Sequence, residues 1–298
     1  MTVTKFSVKI QQRLATVSFL LVAALSVADV VAAQEFPEPG DDVYEVQLVD
    51  GSSVFARVAS VDGDRVTLTT IGGVEIVLNR MQIREMRLAE GGIVEGQFWR
   101  RDRNNTRLFF TSTGRSLAQG EAYVGTYLLF LPFVAVGVTD DFTIAAGAPV
   151  LFGQFDPFYV APKLRVMHSG SAEVSIGTFA LLVDGEGIGI AYGVGTFGSQ
   201  DRAMTVGLGF GFAGSDFLSQ PVAMIGGEVR ANASVKLITE NYFLPGETGA
   251  VISGGIRLIG ERFSTDLGIM GFAGDGDTGC CLPVVNFSYA FGKKAGGR

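Results

Sequence analysis

Six charged residues recur where charge is least expected, inside runs that alternate large and small apolar residues. Glu228 and Arg230 share the face of Gly226 in residues 224–230. Arg257 shares the face of Ser253 and Gly255, opposite Ile252, Ile256 and Leu258. Asp266 stands opposite Phe263, Thr265, Leu267 and Ile269, and Lys163 and Arg165 stand opposite Val160, Leu164 and Val166. A period of two puts alternate residues on opposite faces of a strand. If the bulky face meets lipid, these charges face the interior of a barrel, because an Arg at the middle of a lipid face costs roughly 2–4 kcal/mol. Two chemistries then compete: a salt-bridged interior that fills the barrel and blocks flow, or a charged constriction that selects solutes. Lys236 and Glu240 are candidates for the same lumen, although their phase is ambiguous.

Other reactive side chains form no catalytic set. The single histidine, His168, sits beside Ser169 and Ser171, and general-base work needs a nucleophile within hydrogen-bond reach. Its position at an expected turn argues against attack on membrane lipid. Cys280 and Cys281 are adjacent, so they close no ordinary disulfide loop, and with one histidine they make no metal set. The glycines of residues 207–211 alternate within a strand, whereas a phosphate loop needs a strand, a turn and a following helix. We expect no enzyme, no metal and no cofactor.

The elements that must carry the charges are strands. Ile188, Ile190, Tyr192 and Val194 alternate with Gly187, Gly189, Ala191, Gly193 and Gly195; Met204, Val206, Leu208, Phe210 and Phe212 alternate with Thr205, Gly207, Gly209 and Gly211. The expectation is that both bulky sets face lipid around a narrow lumen lined by small residues. Strands are expected at 106–112, 121–137, 142–151, 158–167, 172–183, 188–197, 203–212, 222–231, 234–243, 250–259, 263–272 and 284–291, about twelve antiparallel strands in an up-and-down transmembrane barrel. Links at one end read longer than those at the other. Outer-membrane barrels have short periplasmic turns and long outer loops, so both termini are expected in the periplasm, with Cys280 and Cys281 in the last outer loop. Phe287, Tyr289 and Phe291 share a face of the closing strand, as in outer-membrane proteins handed to the barrel-assembly machinery; residues 292–298 follow them.

Composition fits an exported membrane protein. The 298 residues are 47% hydrophobic and only 18% charged, with 41 Gly and 23 Phe; soluble domains are about a quarter charged. The net charge of −7 argues against nucleic acid, whose phosphates need a basic surface. Lys5, Lys9 and Arg13, the apolar run 14–27 and Val31-Ala32-Ala33 make residues 1–33 a secretory signal peptide rather than a spanning helix. Residues 34–89 form a small β-domain, 90–105 a linker or interfacial segment, 106–292 the barrel and 293–298 a tail. In the linker, Trp99, Arg100, Arg101 and Arg103 suit a membrane–water interface.

The small domain reads as five strands separated by Asp50-Gly51, Asp62-Gly63-Asp64 and Gly72-Gly73, turn-formers all. Val54, Val58, Val66, Leu68, Ile76, Leu78 and Ile83 supply its core. This spacing resembles an SH3-like or Sm-like barrel. The stretches 105–110, 113–117, 161–163, 191–196 and 226–230 also resemble uncharacterised outer-membrane barrels with a small periplasmic β-module in front; that resemblance implies a fold and a location but no activity. Expected partners are the outer-membrane bilayer, the barrel-assembly machinery and, through the module, a periplasmic envelope protein or peptidoglycan. The leading expectation is an outer-membrane barrel of structural or envelope-associated role with a narrow charged lumen. A small-solute pore comes second, a soluble periplasmic barrel with an apolar ligand third, and a lipid hydrolase last.

Overall fold

A computed structural model describes residues 36–149, 157–183, 186–244, 249–274 and 277–292. The leader expected over 1–33 and the tail over 293–298 lie outside them. Two compact units divide the chain between Met86 and Arg87, with residues 71–74 assigned to the second.

The first unit is a five-stranded sheet. Its strands are β1 (Val43–Leu48), β2 (Ser53–Asp62), β3 (Arg65–Thr70), β4 (Glu75–Asn79) and β5 (Ile83–Leu88), in the order β4-β3-β2-β1-β5. Gly51 and Gly63 adopt positive φ at the turns, as hairpin turns of this kind require. A 3-10 turn over Arg80–Gln82 leads into β5; the Asn79 side chain accepts from the Met81 N–H, and the Gln82 side chain accepts from the Asn79 N–H. Val46, Ala56, Val58, Val66, Leu68 and Met86 form the core, with Val54, Ile76, Leu78 and Ile83 packed against it.

The second unit begins with a hairpin, β6 (Gly91–Val94) and β7 (Gln97–Arg100). Twelve strands then close into an antiparallel barrel: β8 (Glu121–Tyr127), β9 (Leu131–Gly137), β10 (Phe142–Gly147), β11 (Phe158–Ser169), β12 (Ala172–Val183), β13 (Glu186–Gly198), β14 (Arg202–Ala213), β15 (Asp216–Asn232), β16 (Val235–Leu244), β17 (Gly249–Ile259), β18 (Phe263–Gly274) and β19 (Asp277–Gly292). The seam pairs β19 with β8, from Phe287 opposite Thr126 to Gly292 opposite Glu121. A closed sheet has no edge.

The strand count agrees with expectation through two compensating differences. Residues 106–112 are not in the wall, and 121–137 is two strands. The missed turn is at Leu128-Leu129, both with positive φ, where the Phe130 N–H donates to the Tyr127 carbonyl. Two leucines carry no turn signature, since glycine, asparagine and aspartate dominate that conformation.

Connection lengths also differ from expectation. At one end they run 128–130, 148–157, 184–185, 214–215, 245–248 and 275–276; at the other, 138–141, 170–171, 199–201, 233–234 and 260–262. Only 148–157 is long. Residues 216–221 and 277–283, expected in loops, continue β15 and β19. Cys280 and Cys281, disulfide-bonded to each other, therefore lie on β19 rather than in a loop.

The two alternating strands use opposite faces, contrary to the expectation of one bulky face. Cross-strand partners share a face, and β13 and β14 pair Thr196 with Thr205, Val194 with Gly207, Tyr192 with Gly209 and Gly193 with Leu208. Val194 is buried with Leu108 and Phe109, and Tyr192 packs against that cluster, whereas Met204 and Leu208 are exposed. The bulky set of β13 points inward and that of β14 outward, so most large side chains face a small one across the pair, Met204 opposite Phe197 being the exception.

Candidate functional site

The barrel encloses its own chain. Residues 102–117 touch β8 through Tyr123, β10 through Thr143, β11 through Lys163, β12 through Ser175 and β13 through Thr196. They also touch β15 through Glu228, β16 through Lys236 and Glu240, β17 through Arg257, β18 through Asp266 and β19 through Asn286. Only the interior of a closed barrel reaches strands on all sides. Within this segment Leu108 N–H donates to the Thr111 carbonyl and Thr113 N–H to the Thr106 carbonyl, folding 106–113 into a short hairpin. The wall makes room for it at Gly226, where a methyl group would strike the Leu108 side chain, and at Gly268, beneath the Phe109 ring.

One row of wall residues explains why the inserted segment is held. Register places Arg230 opposite Lys236, Lys236 opposite Arg257, Arg257 opposite Asp266 and Asp266 opposite Asn286. Three adjacent cations repel one another. The carboxylate that reconciles two of them comes from the inserted segment: Asp102, fully buried, accepts from Lys236 Nζ at 2.7 Å and from Arg257 Nη1 at 3.3 Å. Burial by itself pushes the Asp102 carboxyl up. The Lys236 and Arg257 charges, helped by the Lys236 and Asn104 hydrogen bonds, overturn that and hold it well below the usual carboxylate range.

Arg257 donates further to the Asn104 and Leu108 carbonyls, at 2.6 and 2.7 Å, and to Asp266 at 2.6 Å. Glu228 joins Lys236, at 3.0 Å, to Arg115 of the inserted segment. Lys163 donates to the carbonyls of Thr106, Thr113 and Arg115. Glu240 caps the hairpin tip, accepting from the N–H groups of Phe109, Phe110 and Thr111 at 2.8, 3.1 and 3.2 Å, and from the Tyr242 hydroxyl. The Asn286 side chain bonds the Phe109 carbonyl and the Leu128 N–H, joining the tip to the strained turn.

The six residues expected in the lumen do not form one ring. Lys163, Glu228, Arg257 and Asp266 are buried against the inserted segment. Arg165 lies nearer the turns, paired with Asp141 and Glu173 at 2.8 Å each. Arg230 donates to the Arg100 and Ala233 carbonyls at 2.6 Å and stacks over Trp99, 5.3 Å from the ring centroid. Lys236 and Glu240, whose phase was ambiguous, are fully buried inward.

Trp99 thus meets Arg230, Arg101 pairs with Glu121 at 2.8 Å, and Arg103 pairs with Glu90 at 2.9 Å, all partners within the chain. Arg100 lends its carbonyl to Arg230. Phe287, Tyr289 and Phe291 alternate with buried Asn286, Ser288 and Ala290, on the outer face. His168 is largely exposed and pairs with Glu173 at 3.5 Å.

Sequence reasoning missed Asp102, Arg107 and Arg115. One signal was available: the six expected lumen charges comprise four cations and two carboxylates, an imbalance that demands an acid from elsewhere. Arg107 donates to Asp266 at 3.1 Å and to the Phe109 carbonyl at 2.6 Å.

Toward the end bearing the 128–130 connection, the lumen widens into a cavity of about 530 Å³ lined mainly by aromatic and aliphatic side chains, among them Tyr127, Phe133, Tyr159 and Phe179. The inserted hairpin contributes Arg107, Phe110 and Thr111 to its wall.

Fold and interior define the class: a closed twelve-stranded antiparallel barrel occupied by its own preceding segment. No family model and no curated protein matches this chain. Among solved structures, the KdgM porin in complex with disordered oligogalacturonate is similar at a TM-score of 0.45 and 6% identity, over 58% of this chain and 98% of that one. The NanC porin gives 0.39 and 8%, over 59% and 100%. Outer-membrane expressed OmpT of Vibrio cholerae gives 0.33 and 10%, over 84% and 93%. At these values the likenesses carry nothing about substrate or mechanism.

Proposed function

We propose that this chain is an integral outer-membrane protein of structural or envelope-associated role, whose barrel is closed to free solute flow by residues 102–117. The observation that carries this reading is the buried Asp102–Lys236–Arg257 cluster, which ties the inserted segment to the wall. Membrane residence is supported by the outer face. Val134, Ile144, Leu164, Ile176, Leu208, Ile225, Leu237, Ile252 and Ile269 are all exposed, on nine different strands. A continuous apolar surface of this extent belongs in lipid rather than water. Both termini then face the periplasm, the side to which a secreted chain is delivered first.

The five-stranded unit supports an SH3-like reading through its meander, the return of β5 beside β1, and the 3-10 turn before β5. In this reading it is a periplasmic module that contacts peptidoglycan or an envelope protein.

Planar-bilayer conductance of the detergent-refolded chain tests the closed barrel. Protein shown to be folded is expected to stay silent across a range of salts. Discrete ion-selective steps from the unmodified chain would instead establish the second reading, a small-solute pore. The cavity beyond the hairpin favours that alternative.

A further inference from the structure

The cavity carries more than apolar surface. Its size falls within the range of small-molecule sites, and two of its buried polar groups have no hydrogen-bond partner among the described residues. One is the Tyr159 hydroxyl, on a residue 6% exposed. The other is the Nε and Nη2 pair of Arg107, on a residue 2% exposed. Those two nitrogens share one edge of the guanidinium, the edge that binds a carboxylate through two parallel hydrogen bonds. The third nitrogen, Nη1, is already used by Asp266 and the Phe109 carbonyl. The guanidinium is held over the Tyr127 and Phe133 rings, 5.0 and 5.6 Å from their centroids, and both rings line the cavity.

Charge favours the same guest. Among the described residues the acidic partner of Arg107 is Asp266, which it shares with Arg257. Lys163, also on the cavity wall, spends its donors on three backbone carbonyls. An anion suits the unpartnered edge of Arg107, and the aromatic walls require the rest of the guest to be apolar.

We propose that the cavity binds a monocarboxylate with an apolar body, an aromatic or medium-chain aliphatic acid. Its carboxylate lies on the free edge of Arg107, and the Tyr159 hydroxyl donates to it. This goes beyond the closed-barrel reading and has a separate readout, since binding needs no conduction.

The test is a fluorescence titration of the refolded full chain in phosphatidylcholine nanodiscs with 11-(dansylamino)undecanoic acid and, separately, its methyl ester. Empty nanodiscs set the baseline, and heat-modifiable gel migration confirms folding of each variant. Saturable binding is expected, with the acid at least tenfold tighter than the ester. Tyr159→Phe, which removes only an unpartnered hydroxyl, should weaken the acid about fivefold and leave the ester unchanged. Arg107→Lys keeps the charge beside Asp266 but loses the forked edge, and should weaken the acid more. Ala161→Trp, on the cavity wall between Tyr159 and Lys163, should abolish both. Equal affinity for acid and ester would overturn the carboxylate site, as would absence of saturable binding. Unchanged acid binding in Ala161→Trp would place the probe on the lipid face and overturn the cavity itself.

Discussion

Both units of this chain bury apolar residues, but among the described residues only the barrel also buries charge. The five-stranded unit hides Val46, Ala56, Val58, Val66, Leu68 and Met86 and turns charge toward water. The barrel hides Asp102, Lys236, Glu228, Arg257 and Asp266, while leaving Ile176, Leu208, Ile252 and Ile269 exposed. One polypeptide cannot obey the hydrophobic effect in one unit and defy it in the other. The contrast disappears if the second unit's outer solvent is hydrocarbon. What holds each interior then differs: apolar packing alone in the first, and in the second paired charges beside apolar clusters such as Leu108, Phe109 and Val194.

The sharpest way to break the comparison is Asp102→Leu. It removes the carboxylate that Lys236 and Arg257 share, and stranding buried charges costs about 3–5 kcal/mol. Denaturant titration of the refolded barrel should register this loss; a change below 1 kcal/mol would mean the cluster is not what holds the hairpin. The same cluster predicts a pH dependence. The Asp102 carboxyl titrates lower folded than unfolded, so its contribution is complete above the unfolded value of 3.8 and declines as pH falls below it. The contribution of this group should be flat from neutrality down to that point. Asp102→Asn should remove the part of the acid decline due to this group.

In the apolar unit, Val66→Ala should cost about 2 kcal/mol, with melting of that unit as the readout and no effect on migration of the barrel. Next come two glycines of the wall. Gly226→Ala forces a methyl group against Leu108 and the Thr239 carbonyl and should cost about 1–3 kcal/mol. Gly193→Ala adds one where nothing stands within 4 Å and should stay within about 0.5 kcal/mol. A reversed order in urea would mean the β13 and β14 faces are assigned the wrong way round. An effect of opposite sign is expected at Leu129→Gly, which relieves a left-handed leucine and should stabilise the barrel by about 1 kcal/mol.

Much of the architecture was legible because a period of two and glycine-rich turns leave plain marks in sequence. The five short strands and most of the wall follow from them. Leu128-Leu129 was not legible, because tertiary contacts such as the Asn286 bond to the Leu128 N–H hold a turn that local chemistry disfavours. The faces of β13 and β14 were not legible either. Alternation says that two sets separate, and only the register across the 199–201 turn says which set of one strand meets which set of the other. Charges on strands were found through phase, whereas Asp102 lies outside every expected strand and Arg107 lies in 106–112, which reads as a wall strand but is folded inside the barrel. Their partners lie far away in sequence, as the Asp102 bond to Arg257 illustrates.

The inserted hairpin enters and leaves by the same mouth. Arg100 meets Arg230 near the 233–234 turn, Arg101 meets Glu121, and Ala118 returns to Glu121 at the start of β8. A loop tethered at both ends on one side passes through nothing. It can be drawn out of a finished barrel, or pushed back, without unthreading the chain or opening the β8–β19 seam, much as a finger leaves a ring.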